Sequence, residues 1–457
     1  MNVKPGDEVD VEELVRTLGA EAGIELPPLR VTGAEPVLPS VFRVDTVAAA
    51  SVGAVAAAAA GLGGGDRAEV DVREAAVAFL DEHHFMIDGV RPAGWSPLSG
   101  DYRTIGGWVR LHCNFDHHRD AALAALGLPP GAGREAVTRA CAGRTALEVE
   151  EVVTAEGGCA AMMRSRADWR VHPQRAAVAR SPRVNLSRIG DGQAQAPSGT
   201  AARPLDGVRV LDLTRVIAGP VATRTLAAHG ARVLRVGAEH LPEVSGLVVG
   251  TAFGKRSCHL DLRTGRGVSA LRDLVAGADV FVQSYRPGAL EAQGFGPEEL
   301  AGIRPGIVCV DLSAYGTHGP WAGRRGFDSL VQMACGIAHE GGDGTRPRPL
   351  PAQALDHATG YLAAFGALAA LTRRAREGGS WRVEVSLART ALWLDSLGRA
   401  KTPEAGEEKP EVADLLGEMD SPFGRLTYVR APGSVDGARP YWASPPPRQG
   451  EHPPAWW

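Results

Sequence analysis

The stretch Gly207–Val236, "GVRVLDLTRVIAGPVATRTLAAHGARVLRV", decides the fold. "GVRVLDL" is an apolar strand. "GPVATRTLAAHG" reads as a helix, with Pro220 in its first turn, where a missing N–H does no harm, and Gly230 closing it. "ARVLRV" is the next strand. The alternation then continues through the helix "RGVSALRDLVAGA", the strand "DVFVQ", the short helix "GPEELAGIRPG" and the strand "IVCVDLSAYG". Strands alternating with helices build a parallel, doubly wound sheet, so the expected class is α/β and Rossmann-like. No G-x-G-x-x-G follows the first strand, so a nicotinamide or flavin cofactor is not indicated.

Outward from this stretch the chain changes character. Ser187–Gly207, "SRIGDGQAQAPSGTAARPLDG", is poor in large apolar residues and reads as a linker, with its centre placed at 191–206. In the first half, "GGWVRLHCNFDHHRDAALAALGLP" reads as strand, loop and helix, and "REAVTRACAG" and "TALEVEEVVTAEGG" as further helices. These give a smaller α+β unit. "AVAAAAAGLGGGDRAEVDVREAAVAFL" (54–80) echoes "AFGALAALTRRAREGGSWRVEVSLARTALWL" (364–394), each a helix, a Gly turn, a short strand and a helix. Two copies of one segment suggest a fused or rearranged duplication. The tail from Arg430 is Pro-rich and reads as an extended segment laid over a partner surface, anchored by Trp442, Trp456 and Trp457.

The 457 residues are room for roughly two to four domain-sized units. A 44% hydrophobic content with only 5% aromatics leaves most packing to Ala, Val, Leu and Gly. A net charge of −4 carries no basic excess, so neither nucleic acid nor a membrane surface is expected as a partner. The six cysteines form no C-x-x-C pair, which fits a reducing compartment and argues against a disulfide framework. The opening "MNVKPGDEVDVEELV" lacks the basic start of a signal peptide, and Val47–Leu62 is too short and Ala-rich to favour a membrane span. A cytoplasmic protein is expected.

Several motifs in the second half occur together and in order: the stretch from Pro204 to Val236, "GKRSCHLDLRTGRG", "DVFVQSYRPGALEAQGFG", "PGIVCVDLSAYGTHGPWAGRRGFDSLVQMACG", "LDHATGYLAAFGALAAL" and "GGSWRVEVSLARTAL". Over roughly Pro204–Leu397 they resemble the class III CoA-transferases, the family of formyl-CoA and carnitine CoA-transferases. Alpha-methylacyl-CoA racemases share that fold. The resemblance implies a CoA-binding Rossmann-like domain over 207–400 and a Pro-rich tail over 401–457. It also implies that 1–190 resembles the family's later, small-domain portion, here placed first in a permuted or truncated-tandem order. By the same resemblance the chain is a homodimer without a permanently bound cofactor, with CoA arriving as acyl-CoA and a small carboxylic acid as the second substrate.

Read locally, Asp356 is a good N-cap for the helix that follows, able to accept N–H bonds from His357 to Thr359. The resemblance adds a second role. "DHATG" (356–360) stands where the family has D-x-x-(S/T)-G, whose Asp attacks the thioester. A helix N-terminus favours the ionised form that attacks. In "GFD", Phe327 stands where transferases carry an aromatic and racemases a His, which disfavours racemase. Asp328 is then expected to position substrate or catalytic groups. Asp45, at the matching place in the echoed copy, lacks the motif and reads as a degenerate cap. Carried over residue by residue, "RVIAG" contributes Val216, Ile217 and Ala218 around CoA. "HLDLR" contributes Leu260 and Arg263 near adenine, and "SYRPG" contributes Ser284, Tyr285 and Arg286. Arg325 stands where the family has a phosphate-facing Lys. Ala238 and Ala292 replace two family arginines, and Ile217 replaces a polar Gln, which suggests a less polar acyl group.

The family's oxyanion donors often come from a mobile Gly loop, but "GLGGGD" (61–66) reads as a helix-to-strand connection. "HCNFDHH" (112–118) matches no metal spacing and reads as a helix start capped by Asn114 or Asp116. "DEHHF" (81–85) reads as an ordinary helix end facing the cleft or solvent. "GKRS" (254–257) lacks the upstream Gly of a P-loop. The expected activity is transfer of CoA between carboxylic acids, with no metal. An acyl-CoA racemase or isomerase of the same fold and a catalytically silent acyl-CoA-binding protein are the alternatives.

Overall fold

The structure, a computed structural model, describes residues 9–400 and 410–457; the first eight residues and 401–409 of the expected tail lie outside it. The apolar stretches around and beyond Gly207 pair into one sheet of seven strands. These are β1 Asn185–Gly190, β2 Arg209–Leu213, β3 Arg232–Gly237, β4 Lys255–His259, β5 Val280–Gln283, β6 Val308–Ser313 and β7 Ser380–Ser386. Their order is β4-β3-β2-β5-β6-β7-β1. β2 to β7 run parallel, as continuous apolar runs buried on both faces should. β1 runs antiparallel along β7 and closes that edge. The order reverses between β2 and β5. In such sheets the crevice for a ligand opens there, beyond the carboxyl ends of the strands.

Five helices bear on the site: α1 Val44–Gly63, α2 Asp81–His84, α3 Ala218–Ala228, α4 Asp328–Ala334 and α5 Ala354–Glu377. α5 packs against both α1 and α3. α1 is long and apolar enough to cross a membrane, but it is a core helix here, buried without a break from Val44 to Ala60. The echo seen in the sequence is realised as α1, the strand Ala68–Asp71 and the helix Val72–Ala78 against α5, β7 and the helix Leu387–Ser396. Only the second copy's strand joins the large sheet. The first pairs with Leu29–Thr32 and Ser434–Val435 in a small sheet of its own. "GLGGGD" does connect helix to strand, as expected.

The smaller α+β unit consists of the strands Gly100–Thr104, Gly107–Leu111 and Ala160–Met162 with the helices Asp116–Ala125, Arg134–Ala142 and Ala146–Ala155. It has a separate core of Tyr102, Val109, Leu111, Leu123, Val149 and Val153.

Packing corrects three expected boundaries. Residues 1–190 are not one unit, because α1 packs on α5 and β1 belongs to the large sheet. For the same reason the linker does not begin at Ser187. The expected tail, 401–457, holds regular structure before Arg430, and its extended part from Arg430 lies on the chain itself. Leu416–Ser421 and Gly424–Val429 form a hairpin that pairs with Met86–Ile87. The three tryptophans then anchor the rest on the chain itself. The Trp442 indole donates to the Arg224 carbonyl, the Trp456 indole to the Leu274 carbonyl, and the Trp457 carbonyl accepts from Arg232.

A buried ion pair fixes the turn after β2. Asp212 accepts from the Thr214 N–H and hydroxyl, from Thr223 Oγ1 at 2.7 Å and from Lys255 Nζ at 2.9 Å. Lys255 also donates to the Pro220 carbonyl at 3.0 Å. Burial pulls the Lys255 ammonium down to about 8. Burial works against the Asp212 charge too, but Lys255 and the hydroxyl donors outweigh it and hold that carboxyl below its ordinary range. "GKRS" thus supplies a structural cation. Asp212→Asn leaves Lys255 buried without its counter-charge, and should destabilise the fold by about 3–5 kcal/mol, read as a lower urea midpoint at pH 7.

Candidate active site

Asp356 lies in the first turn of α5, three residues past the N-cap Gln353, so it does not cap its own helix. The cap comes from α4. Asp328 Oδ2 accepts from the Leu355 N–H at 2.8 Å and the Asp356 N–H at 2.9 Å, and Gln332 donates to the other oxygen. Gln332 Oε1 in turn accepts from the Leu350 N–H at 2.8 Å, so the segment entering α5 is held from one side. The Asp356 carboxylate makes no hydrogen bond among the described residues, and Asp356 is 7% exposed.

Two cavities meet at this carboxylate. One, of about 270 Å³, is lined by Phe85, Trp95, His112, Val221, Leu247 and His357 among others. The other, of about 440 Å³, lies at the carboxyl ends of β2 and β5 and carries Arg215, Arg286 and Arg325. Val216, Ile217, Phe327 and Asp356 line both. Val216 has φ 73°, a left-handed conformation that strains a β-branched residue by roughly 1–3 kcal/mol. α3 begins at the next residues with no side-chain cap, and Ala218 and Gly219 line the larger cavity. Uncapped first-turn N–H groups are donors suited to an anion.

Gly360 explains why α3 comes so near. A Cβ there would stand 2.5 Å from the Ala218 carbonyl and 3.0 Å from Val221. The Gly of "DHATG" is therefore needed for close helix approach. Thr359 bonds Thr390 at 2.7 Å beneath it.

Burial pushes the Asp356 carboxyl well up from its ordinary value, and the charges of Asp328 and Glu82 add to this. The helix terminus does not win, contrary to the expectation of a favoured ionised form, because Asp328 already occupies the end N–H groups. Burial likewise lifts Asp328 to about 6, against the pull of those N–H bonds.

Of the residues expected around CoA, Val216, Ile217, Ala218, Ser284, Tyr285, Arg286 and Arg325 all line the larger cavity. Leu260 and Arg263 line neither cavity. Leu260 is buried in the core under β3 and β4, and Arg263 is exposed and paired with Asp261 at 2.8 Å. Phe327 stacks on His112, ring centroids 3.6 Å apart and 2° from parallel. The stretch 112–118 is thus part of the cleft and not a capped helix start. Its helix has Phe115 at the N-cap with no side-chain bond, and Asn114 instead accepts from the Ser96 N–H and the Ser99 hydroxyl. Burial lowers His112 and His118 to about 3, so both rings are neutral. No metal-binding group of His, Cys, Asp or Glu occurs among the described residues.

Two site residues were missed by sequence reasoning. Arg215, inside the quoted stretch, stacks over Phe115 at 5.1 Å and faces the larger cavity. Glu82, from "DEHHF", lines the smaller one with Asp356, and its Oε2 lies 2.9 Å from His357 Nε2. Asp45 is also buried in the first turn of its helix, but its carboxylate is spent on the Val37 and Leu38 N–H groups at 2.7 and 3.0 Å.

Residues 205–414 match the model of CoA-transferase family III. Over 206 residues the chain is 39% identical to an acetyl-coenzyme A transferase, nodX, of Hypoxylon pulicicidum, covering 44% of this chain and 35% of that one. It is 34% identical over 241 residues to a probable fatty acyl-CoA transferase of Mycobacterium tuberculosis (48% and 59%). It is 35% identical over 199 residues to a mouse (Mus musculus) succinyl-CoA:glutarate CoA-transferase (40% and 45%). A solved structure of the mycobacterial protein aligns at 33% identity over 43% of this chain and 59% of that one, with a TM-score of 0.40. The chain spans between 35% and 59% of the length of these relatives.

A carboxyl whose folded pKa is raised contributes stability that is present below its unfolded pKa and lost as pH rises through the folded one. Asp356→Asn removes that loss. The variant should be more stable than the unmodified chain by ~1–3 kcal/mol at pH 7.5, with the difference shrinking as pH falls toward 5, measured by thermal or urea unfolding at several pH values.

Proposed function

We propose, from the premise that residues 205–414 are a segment of CoA-transferase family III, that this chain moves CoA between carboxylic acids with Asp356 as nucleophile. One observation carries the reading. Asp356, unpaired and largely buried, stands where an arginine-bearing cavity meets an apolar one. That is the arrangement a nucleophile needs to reach a thioester whose two ends differ in charge.

The Asp356 carboxylate attacks the thioester carbonyl. The C–S bond breaks and CoA leaves as thiolate, giving a mixed anhydride. The thiolate attacks the aspartyl carbonyl and expels the first acid as carboxylate. The second acid's carboxylate then attacks the aspartyl thioester, and the returning thiolate takes the new acyl group and frees Asp356. No net proton enters or leaves, so no general acid is required. A carboxylate of raised pKa is a better nucleophile once ionised. The N–H groups of Ala218 and Gly219, at the uncapped end of α3, are the proposed donors to the oxyanions. Arg215, Arg286 and Arg325 would hold the CoA phosphates, with Ser284 and Tyr285 beside them. Asp328 positions Asp356 by capping its helix, and Phe327 separates the cavities. Pairing of two chains and a cytoplasmic setting, where six unpaired buried cysteines fit, complete the proposal.

The test is exchange of a labelled carboxylic acid into its own CoA thioester across a panel of acids. At least one acid should exchange, and Asp356→Ala should reduce that rate by at least about a thousandfold. The rate should fall as pH is lowered through the raised pKa of Asp356, on a limb above the ordinary carboxyl range. Exchange that survives the substitution contradicts the reading.

A further inference from the structure

The two cavities differ in charge as well as size. Among the described residues the larger one carries four arginines, of which Arg324 is paired with Glu150; the smaller one holds no buried cation free to receive an anion. Its charged groups resolve one by one. Asp81 is neutralised by Arg224, whose Nη1 is 2.7 Å away, both being buried. Arg91 and His83 also line this cavity, but both are exposed residues where solvent screens their charge. Glu82 remains. Its Oε2 is bound at 2.9 Å to His357, and its Oε1 is buried without a partner among the described residues. Burial opposes ionisation, but His357 outweighs it and holds the Glu82 carboxyl below its ordinary range. Its charge is felt at Asp356, where it helps to raise the nucleophile's pKa. Much of the rest of the wall is apolar, with Phe85, Trp95, Ile217, Val221, Leu247 and Phe327, and its other polar groups, Asn114, Thr251, Ser329 and Gln353, carry no charge. A volume of about 270 Å³ leaves room for a compact acyl chain.

We infer that the smaller cavity is an acyl site for compact, uncharged chains, and that Glu82, held by His357, excludes short dicarboxylic acids from it. CoA is then exchanged between monocarboxylic acids. The inference rests on the reading of Asp356 as the group that accepts the acyl chain. A short dicarboxylate bound at Asp356 would place its second carboxylate in a mainly apolar space beside Glu82, with no buried cation free to meet it, so its lost hydration goes uncompensated and the Glu82 charge opposes it. A site built this way discriminates by rejection more than by attraction.

The experiment compares matched pairs of equal chain length: labelled butyrate exchanging into butyryl-CoA against succinate into succinyl-CoA, and propionate into propionyl-CoA against malonate into malonyl-CoA. The monocarboxylates should exchange with a kcat/KM at least about tenfold higher. Glu82→Gln keeps a group that can bond His357 while removing the charge, and should shrink that ratio at least about fivefold through faster dicarboxylate exchange. Equal use of succinate and butyrate by the unmodified chain overturns the inference. So does a Glu82→Gln protein that exchanges acids with an unchanged ratio. If that variant does not fold, the ratio in the unmodified chain decides alone. If no acid of either kind exchanges, the reading of Asp356 falls and this inference with it, an outcome distinguished by the silence of the monocarboxylates.

Discussion

The approach of α3 to α5 at Gly360 is the contact on which the site depends. With the Ala218 carbonyl 2.5 Å from where a Cβ would be, no other residue fits there without moving one of the two helices. That approach brings the turn 214–219 over the first turn of α5. It makes Val216 and Ile217 a shared wall, with one cavity on each side and Asp356 at the gap between them. Everything else holds this arrangement in place. From below, Asp212 and Lys255 tie the turn to β4 and to Thr223 of α3. From the side, Asp328 and Gln332 tie the entry of α5 to α4.

Each of these devices works against stability somewhere. Val216 is strained, and a buried ammonium and several buried carboxylates must be tolerated. Such groups concentrate at sites where function overrides local preference. Asp45 is the instructive contrast. It occupies the matching place in the echoed copy and its pKa is also raised, to about 6, by burial. Its oxygens, however, are taken up by the chain that precedes its helix, so it serves structure where Asp356 is left free.

The large sheet was legible because parallel strands and their helices announce themselves locally, through apolar runs, Pro220 and Gly230. "DHATG" and "GFD" were legible as motifs, although the bond joining them, from the Asp356 N–H to Asp328, was not. Glu82 was not legible at all. Its partner His357 is 275 positions away, and nothing in "DEHHF" distinguishes a helix end facing solvent from one facing Asp356. Leu260 and Arg263, expected near adenine, lie apart from both cavities, one in the core and the other paired with Asp261. The tail misled because its prolines hid the hairpin before it, whose partner Met86–Ile87 lies in the first half of the chain.

The most direct measurement is peptide mass spectrometry after the protein is mixed with an acyl-CoA that it exchanges and then quenched with hydroxylamine. If Asp356 is the nucleophile, its activated carboxyl is converted to a hydroxamate, and the modification maps to the peptide that holds it and to no other carboxylate. A modification on Glu82 or Asp328, or none on a protein that is turning over, would contradict the account.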